Sequence, residues 1–356
     1  MKRPYPLLGL LLAALLLLGG CGENQVNVVL YTGFGKDEVF RIEQTGCSLG
    51  EMMLYLVNTQ CRYESVYGEE IWDTELGNIT LEDNIKDMVL AQVSQIKVLV
   101  LMAKELNVEL TGEEQELIRQ AADEYYLTLN PAELRVMGVQ EGLIREAYED
   151  YALANKVYAS IIKDINPEVS DDEARTITVE HILIRTHSED EAGNRTDYTP
   201  EQRQDAYNRA LQVWKLANGG EDFSRLVDQY NEDSQSQYSF RKGQMNSRFE
   251  TASFNLGKGE VSTVVETEDG YHIIKCITTF NQEETDANKH RIVEEKRKEV
   301  FEQEYAAFLE DLMYAMNTPL WEEVKLIRSE EINTAEYYQV YEKYFDEKVV
   351  EKWLEE

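Results

Sequence analysis

Histidine and cysteine are scarce in this chain, with four of each in 356 residues, and no two cysteines stand in a CxxC spacing. So few imidazoles and thiols, so placed, carry no metal framework and no redox motif, and neither a metal nor a cofactor is assigned. Positive charge is in deficit as well. Against 68 Asp and Glu stand 35 Lys and Arg, for a net charge of −33. That excludes nucleic acid and anionic lipid headgroups as recognised ligands, because phosphate binding needs clustered cations. The apolar run from Leu7 to Leu18 is shorter than the ~20 residues of a membrane-spanning helix. The GFG at 33–35 lacks the third glycine and the following helix of a dinucleotide fingerprint, so it reads as a turn. There is no internal repeat and no low-complexity linker.

What is present begins with the N-terminus. Lys2 and Arg3 precede the apolar run, and small residues precede Cys21, the pattern of a secretory signal peptide. Leu18-Gly19-Gly20-Cys21 resembles the bacterial lipobox, in which the cysteine becomes the lipidated first residue of the exported chain. Residues 1–20 are thus expected to be a lipoprotein signal peptide, with Cys21 as the membrane anchor. Cys47, Cys61 and Cys276 are an odd set; a Cys47–Cys61 disulfide and free buried thiols both stay open.

Hydropathy patterning divides the rest. VNVVLYT at 26–32 and EVFRIE at 38–43 flank a turn-rich GFGKD and predict a β-hairpin. Helix-start signals follow at Ser48 with Glu51, Thr80, Thr111 with Glu114, and Asn130-Pro131, so that residues 48–164 read as all-helical. From Ile177 the pattern changes. A strand at 177–185 leads to an acidic loop at 186–199. A helix from Thr199-Pro200 follows, with Tyr207, Ala210, Leu211, Trp214 and Ala217 as its apolar face. A short helix from Phe223, another around Phe249, and strands near 261–266 and 271–277 complete an α+β unit. The helical period returns from Asp286 to Met316, and a last helix is expected at 334–354. The domains read as 21–170, mainly helical; 176–280, α+β; and 281–356, helical and packing with the first.

Two histidines stand out. His181 sits inside the apolar strand TVEHILIRT, and His272 sits in GYHIIKC about ninety residues later. Two strands of one sheet would bring such rings face to face. The segment around them resembles the parvulin-type (PpiC, or rotamase) peptidyl-prolyl cis-trans isomerases, block by block and in order. The blocks are EHILI at 180–184, GGEDFSRLVDQYNEDSQS at 219–236, GQMNSRFETASFNLGKGEVS at 243–262 and TEDGYHIIK at 267–275.

The resemblance implies roles. Met245 and Phe249 would form the socket for the proline ring, and Asp233 matches the position beside the substrate carbonyl. His181 and His272 would be the paired histidines, and Thr267 the hydroxyl of the same network. The family's longer segment before Met245 is shortened here to QYSFRKGQ, where Phe240 would stand in for a missing apolar residue. The loop after His181 is acidic where phospho-specific members are basic, so phosphoserine-proline selectivity is not expected.

The layout as a whole is similar to PrsA-like foldase lipoproteins and, more distantly, to SurA-type chaperones. A central parvulin-like domain, a small antiparallel sheet flanked by helices, would be inserted between N- and C-terminal helical segments that form one chaperone lobe. The implied function is isomerisation of Xaa-Pro bonds in unfolded or partly folded secreted proteins, on the extracytoplasmic face of a Gram-positive-type membrane. The alternative is a holdase chaperone whose parvulin domain is weak or inactive.

Overall fold

The computed structural model describes residues 27–28, 33–77, 79–190 and 194–355. The signal segment 1–20 and Cys21 lie outside these residues. The chain forms two compact units, one from the segments up to Asp164 and from Lys298 onward, the other from Ile165 to Arg297. The second includes residues 165–175 and the start of a long helix as well as the segment 176–280.

In the first unit, β1 (Asn27–Val28), β2 (Glu38–Ile42) and β3 (Thr45–Ser48) share a four-stranded sheet with β12 (Met313–Met316), in the order β1-β12-β2-β3. This corrects the expected hairpin of 26–32 with 38–43. The hairpin is β2 with β3, and β12 separates β1 from β2. Helix α1 (Leu49–Tyr67) starts at Ser48, whose side chain accepts from the Glu51 N–H. The Glu51 carboxylate does not close a capping box. It turns instead to the buried Lys97 ammonium at 2.8 Å and accepts from the Cys47 thiol.

Helices α2 (Leu81–Leu106), α3 (Gly112–Thr128) and α4 (Pro131–Met137) each begin with a complete capping box, at Thr80/Asp83, Thr111/Glu114 and Asn130/Glu133. Each satisfies N–H groups that a helix start leaves orphaned. Between α1 and α2 a 3-10 turn, Glu69–Asp73, and a tiny hairpin, β4 (Glu75–Leu76) with β5 (Ile79–Thr80), interrupt the run expected to be wholly helical. Helix α5 (Glu141–Ile162) completes the N-terminal part.

The C-terminal segment shares this core. Tyr337 is fully buried; its ring stacks on Tyr148 at 4.4 Å and meets Tyr55 and Tyr125 edge-on at 5.2 and 5.5 Å. Cys47 and Cys61 are free, buried thiols, so no disulfide joins them.

In the second unit, a short helix α6 (Asp171–Ala174) precedes β6 (Ile177–Arg185). The acidic loop folds in part into a hairpin of β7 (His187–Glu189) with β8 (Arg195–Asp197). Helices α7 (Pro200–Asn218) and α8 (Phe223–Tyr230) lead to β9 (Gln237–Phe240), then α9 (Ser247–Phe254), β10 (Val265–Glu266) and β11 (Gly270–Thr278). The sheet is antiparallel throughout, in the order β10-β11-β6-β9. Val261 contributes only an isolated bridge to Lys275, so the strand expected from 261 begins at Val265.

Both faces of the sheet are covered, which explains the near-continuous apolar runs of β6 and β11. Ile182, Ile184, Tyr271 and Ile273 pack on one side with Ala206, Ala210, Phe223 and Leu226. Ile177, Val179 and Ile274 pack on the other with Phe240 and Phe249. Helix α7 buries Ala206, Ala210 and Val213, small residues that let it lie close to the strands. Its face is therefore rotated from the expected one, and Tyr207 stands at the rim, 37% exposed, with its ring against Tyr271.

The long helix α10 spans Gln282–Leu309, shorter at its end than expected: Met313 and Met316 belong to β12. After α11 (Thr318–Glu323), the last expected helix is two, α12 (Tyr337–Tyr344) and α13 (Glu347–Glu355). Asp346 lies between them, and its carboxylate accepts from the Lys348 and Val349 N–H groups as a new cap.

Candidate active site

The register of β6 and β11 sets His181 opposite Ile274, and Leu183 opposite His272. The two histidines are diagonal neighbours on one face of the sheet, within reach of each other's rings. Their Nδ1 atoms are 3.2 Å apart and both residues are buried. The position that looked anomalous in an apolar strand is thus half of a hydrogen-bonded pair.

The remaining partners order the protons. His181 Nε2 faces the Gln235 carbonyl at 3.1 Å and the Asp233 carboxylate at 3.2 Å, two acceptors. It must carry hydrogen, so in the neutral ring His181 Nδ1 accepts from His272 Nδ1–H. His272 Nε2 then accepts from the Thr267 hydroxyl at 2.8 Å, and Thr267 Oγ1 takes the Asp269 N–H. One directional chain results, from the β10–β11 turn through both rings to Asp233.

Electrostatics agree with neutral rings. Burial, reinforced by the neighbouring His181, holds His272 down to about 4. Burial also lowers His181, against the opposing pull of the Gln235 carbonyl and Asp233. For Asp233, burial pushes upward. The Tyr238 hydroxyl, His181 and the N–H groups of Gln235 and Ser234 outweigh it, leaving the carboxyl below its usual range and ionised at neutral pH.

Phe249 joins this polar chain to the apolar side. Its ring meets His181 at 5.4 Å and His272 at 5.1 Å, both edge-on. Phe240 lies behind it at 5.9 Å, and Met245, half-buried, packs in the same cluster. Every site residue expected within the second unit is therefore in one constellation. Phe240 and Phe249 are each only 3% exposed, so Met245 is the accessible member of the apolar wall.

Two contributors were not singled out in the sequence. Asn231 accepts the Leu183 and Asp233 N–H groups and donates to the Asp233 carbonyl, fixing the loop that carries Asp233. Tyr238 donates its hydroxyl to Asp233 Oδ2 at 3.0 Å. The signal for Tyr238 was the alternation in QYSF, which reads as a strand with Tyr and Phe on one face.

A fixed carboxylate, a proton-ordered imidazole pair and an apolar wall can hold a prolyl peptide and favour a twisted amide without covalent chemistry. The profile of the rotamase family, the PPIC-type PPIase domain, matches residues 181–278. The Foldase protein PrsA of Caldanaerobacter subterraneus subsp. tengcongensis is 28% identical over 229 residues, 62% of this chain and 65% of the relative's length. The Foldase protein PrsA of Geobacillus kaustophilus is 29% identical over 248 residues, 65% of this chain and 76% of its own. The crystal structure of the peptidylprolyl isomerase PrsA from Bacillus cereus aligns over 76% of this chain and 96% of that one, with 20% identity and a TM-score of 0.35. Residues 181–278 are thus a parvulin-type peptidyl-prolyl cis-trans isomerase domain, carried by a chain that is similar to PrsA foldases.

Proposed function

We propose that the protein is a lipid-anchored, extracytoplasmic foldase that isomerises unphosphorylated Xaa-Pro bonds in unfolded or partly folded secreted proteins. The observation that carries this reading is the continuous hydrogen-bonded chain Thr267–His272–His181–Asp233 standing against Phe249. Rotation about an Xaa-Pro bond faces a barrier of roughly 18–20 kcal/mol. A thousandfold acceleration requires lowering it by about 4 kcal/mol. Met245 and Phe249 would seat the proline ring, while Asp233 would lie beside the carbonyl that loses resonance as the amide twists. The imidazole pair keeps Asp233 oriented and ionised.

Phosphate selectivity is disfavoured by charge. Arg185, the last residue of β6, is paired with Glu189 at 3.3 Å and Arg195 with Asp197 at 3.0 Å, so both arginines are already neutralised by the acidic hairpin. Membrane attachment rests on Cys21 and the segment before it; palmitate labelling of cells that persists in Cys21→Ala would sink the anchor. The helical first unit would hold clients.

The test is prolyl exchange in an unphosphorylated peptide, followed by NMR, with the full chain as wild type, Asp233→Ala and His272→Ala. Acceleration by the wild type that drops at least tenfold in both folded variants is expected, about 1.4 kcal/mol or more of lost transition-state stabilisation. The burial of Phe240 and Phe249 favours a second reading, a holdase with a closed isomerase site. Exchange left at the spontaneous rate across several preceding residues, together with suppressed client aggregation, would establish that reading instead.

A further inference from the structure

The shortened segment before Met245 does more than narrow one side of the site. It forms β9, which adds to the edge of β6 with Tyr238 opposite Val179 and Phe240 opposite Ile177. This register turns the Tyr238 side chain to the face that carries His181, the ring centroids being 5.3 Å apart. The phenol reaches Asp233 Oδ2 at 3.0 Å, the same oxygen that lies 3.2 Å from His181 Nε2. One carboxylate oxygen is thus held between donors from two adjacent strands. The other has no side-chain donor from a strand: the Ser234 hydroxyl stands at 3.5 Å, and the remaining donors to the carboxyl are the Ser234 and Gln235 N–H groups of its own loop.

We propose that Tyr238 is a positioning residue for isomerisation, which clamps Asp233 Oδ2 against His181 and so leaves Oδ1 as the oxygen presented to substrate. This rests on the reading of Asp233 as the group beside the substrate carbonyl. A loop in place of β9 would leave the carboxylate free to rotate. Here the pairing of β9 with β6 supplies a rigid donor.

The groups that face Asp233 are few. From β6 comes His181, with His272 of β11 behind it; from β9 comes Tyr238. The adjacent Glu232 is engaged elsewhere, accepting the Arg185 N–H and pairing with Arg209. Among the donors that hold Asp233 below the usual carboxylate range, the Tyr238 hydroxyl is the foremost, and burial raises the phenol in return to about 12 together with the carboxylate. Losing the hydroxyl therefore lets the Asp233 carboxyl titrate at higher pH.

The experiment compares full-length wild type, Tyr238→Phe, Asp233→Asn and the double variant in prolyl isomerisation across pH. The expected result has three parts. Tyr238→Phe lowers kcat about tenfold with KM nearly unchanged, the scale of a lost hydrogen bond to a charged group. Its acid limb moves to higher pH. On the Asp233→Asn background the substitution costs nothing further, because both act through one carboxylate. An unmoved acid limb, or losses that add in the double variant, would overturn the assignment.

If the wild type accelerates nothing, the parent reading fails on its own, and the Asp233 carboxyl-carbon titration by NMR still decides the clamp. A midpoint that rises in Tyr238→Phe upholds it, and an unchanged one refutes it. Asp233→Asn approaches the same contact from its other end, so loss of the fold in Tyr238→Phe leaves a usable arm: the Tyr238 phenol, raised in part by the carboxylate, must titrate at lower pH in Asp233→Asn than in the wild type, and an unchanged phenol midpoint counts against the clamp.

Discussion

His272 shows what burying an imaginable switch does to it. An ordinary histidine near 6.5 would change charge within the physiological range, but this one is held to about 4. The sign of the effect on stability follows. Below about pH 6.5 the unfolded chain binds a proton that the folded site refuses until about pH 4, so stability falls progressively across that interval as the medium is acidified. His181, also lowered, adds in the same direction. Urea unfolding followed through the methyl NMR signals of Ile182 and Ile273 should show the midpoint falling from pH 7 to pH 4.5. His272→Gln, which removes one of the two groups, should flatten that dependence; an equal slope in both proteins would refute the assignment of the slope to the pair.

At the scale of elements, the approach of β11 to β6 depends on Gly270. Its φ is +149°, and a Cβ placed there would sit 2.2 Å from the Ile184 carbonyl oxygen. Gly270→Ala should therefore cost about 2–4 kcal/mol, measured by urea unfolding, and should weaken isomerase activity because His272 stands two residues on. Much of this architecture was legible in the sequence. Apolar β6 and β11 with their histidines, and the Thr and Asn helix starts, are signals whose physics is local: backbone N–H groups need caps, and buried strands need apolar side chains. The elements that were misread depend on distant partners. Met313–Met316 continues a helical spacing by coincidence and becomes a strand because β1 and β2 flank it, with Tyr314 stacked on Phe40 at 5.9 Å. Four residues are too few for periodicity to distinguish the two. Tyr238 was missed for a related reason: its importance lies in a neighbour across the sheet, which spacing along the chain does not reveal. Asp346, by contrast, is a cap whose signal is local and legible inside an apparently continuous helix.

At the scale of the molecule, the two units differ in how they are made. The Ile165–Arg297 unit has its own two apolar clusters on either side of one sheet, all drawn from one continuous segment. The other draws its single large core from both ends of the chain. A fragment of residues 165–297 should thus give a cooperative thermal transition and dispersed amide signals, whereas residues 27–164 alone should not. A cooperatively folded 27–164 fragment would show that the C-terminal segment is dispensable. Within the intact chain, Tyr337→Ala should destabilise the two-ended unit by about 3–5 kcal/mol, the cost of deleting a large ring from a packed core.

The sheet order β1-β12-β2-β3 has a temporal meaning. A chain that emerges N-terminus first presents β1, β2 and β3 early, but the strand that must lie between β1 and β2 arrives only with Met313–Met316. The inserted segment is complete before then, so it can reach its final form while the first three strands still wait. The late arrival of β12 therefore delays closure of the helical unit until Met316 has been made, and the isomerase domain is the first part ready to work.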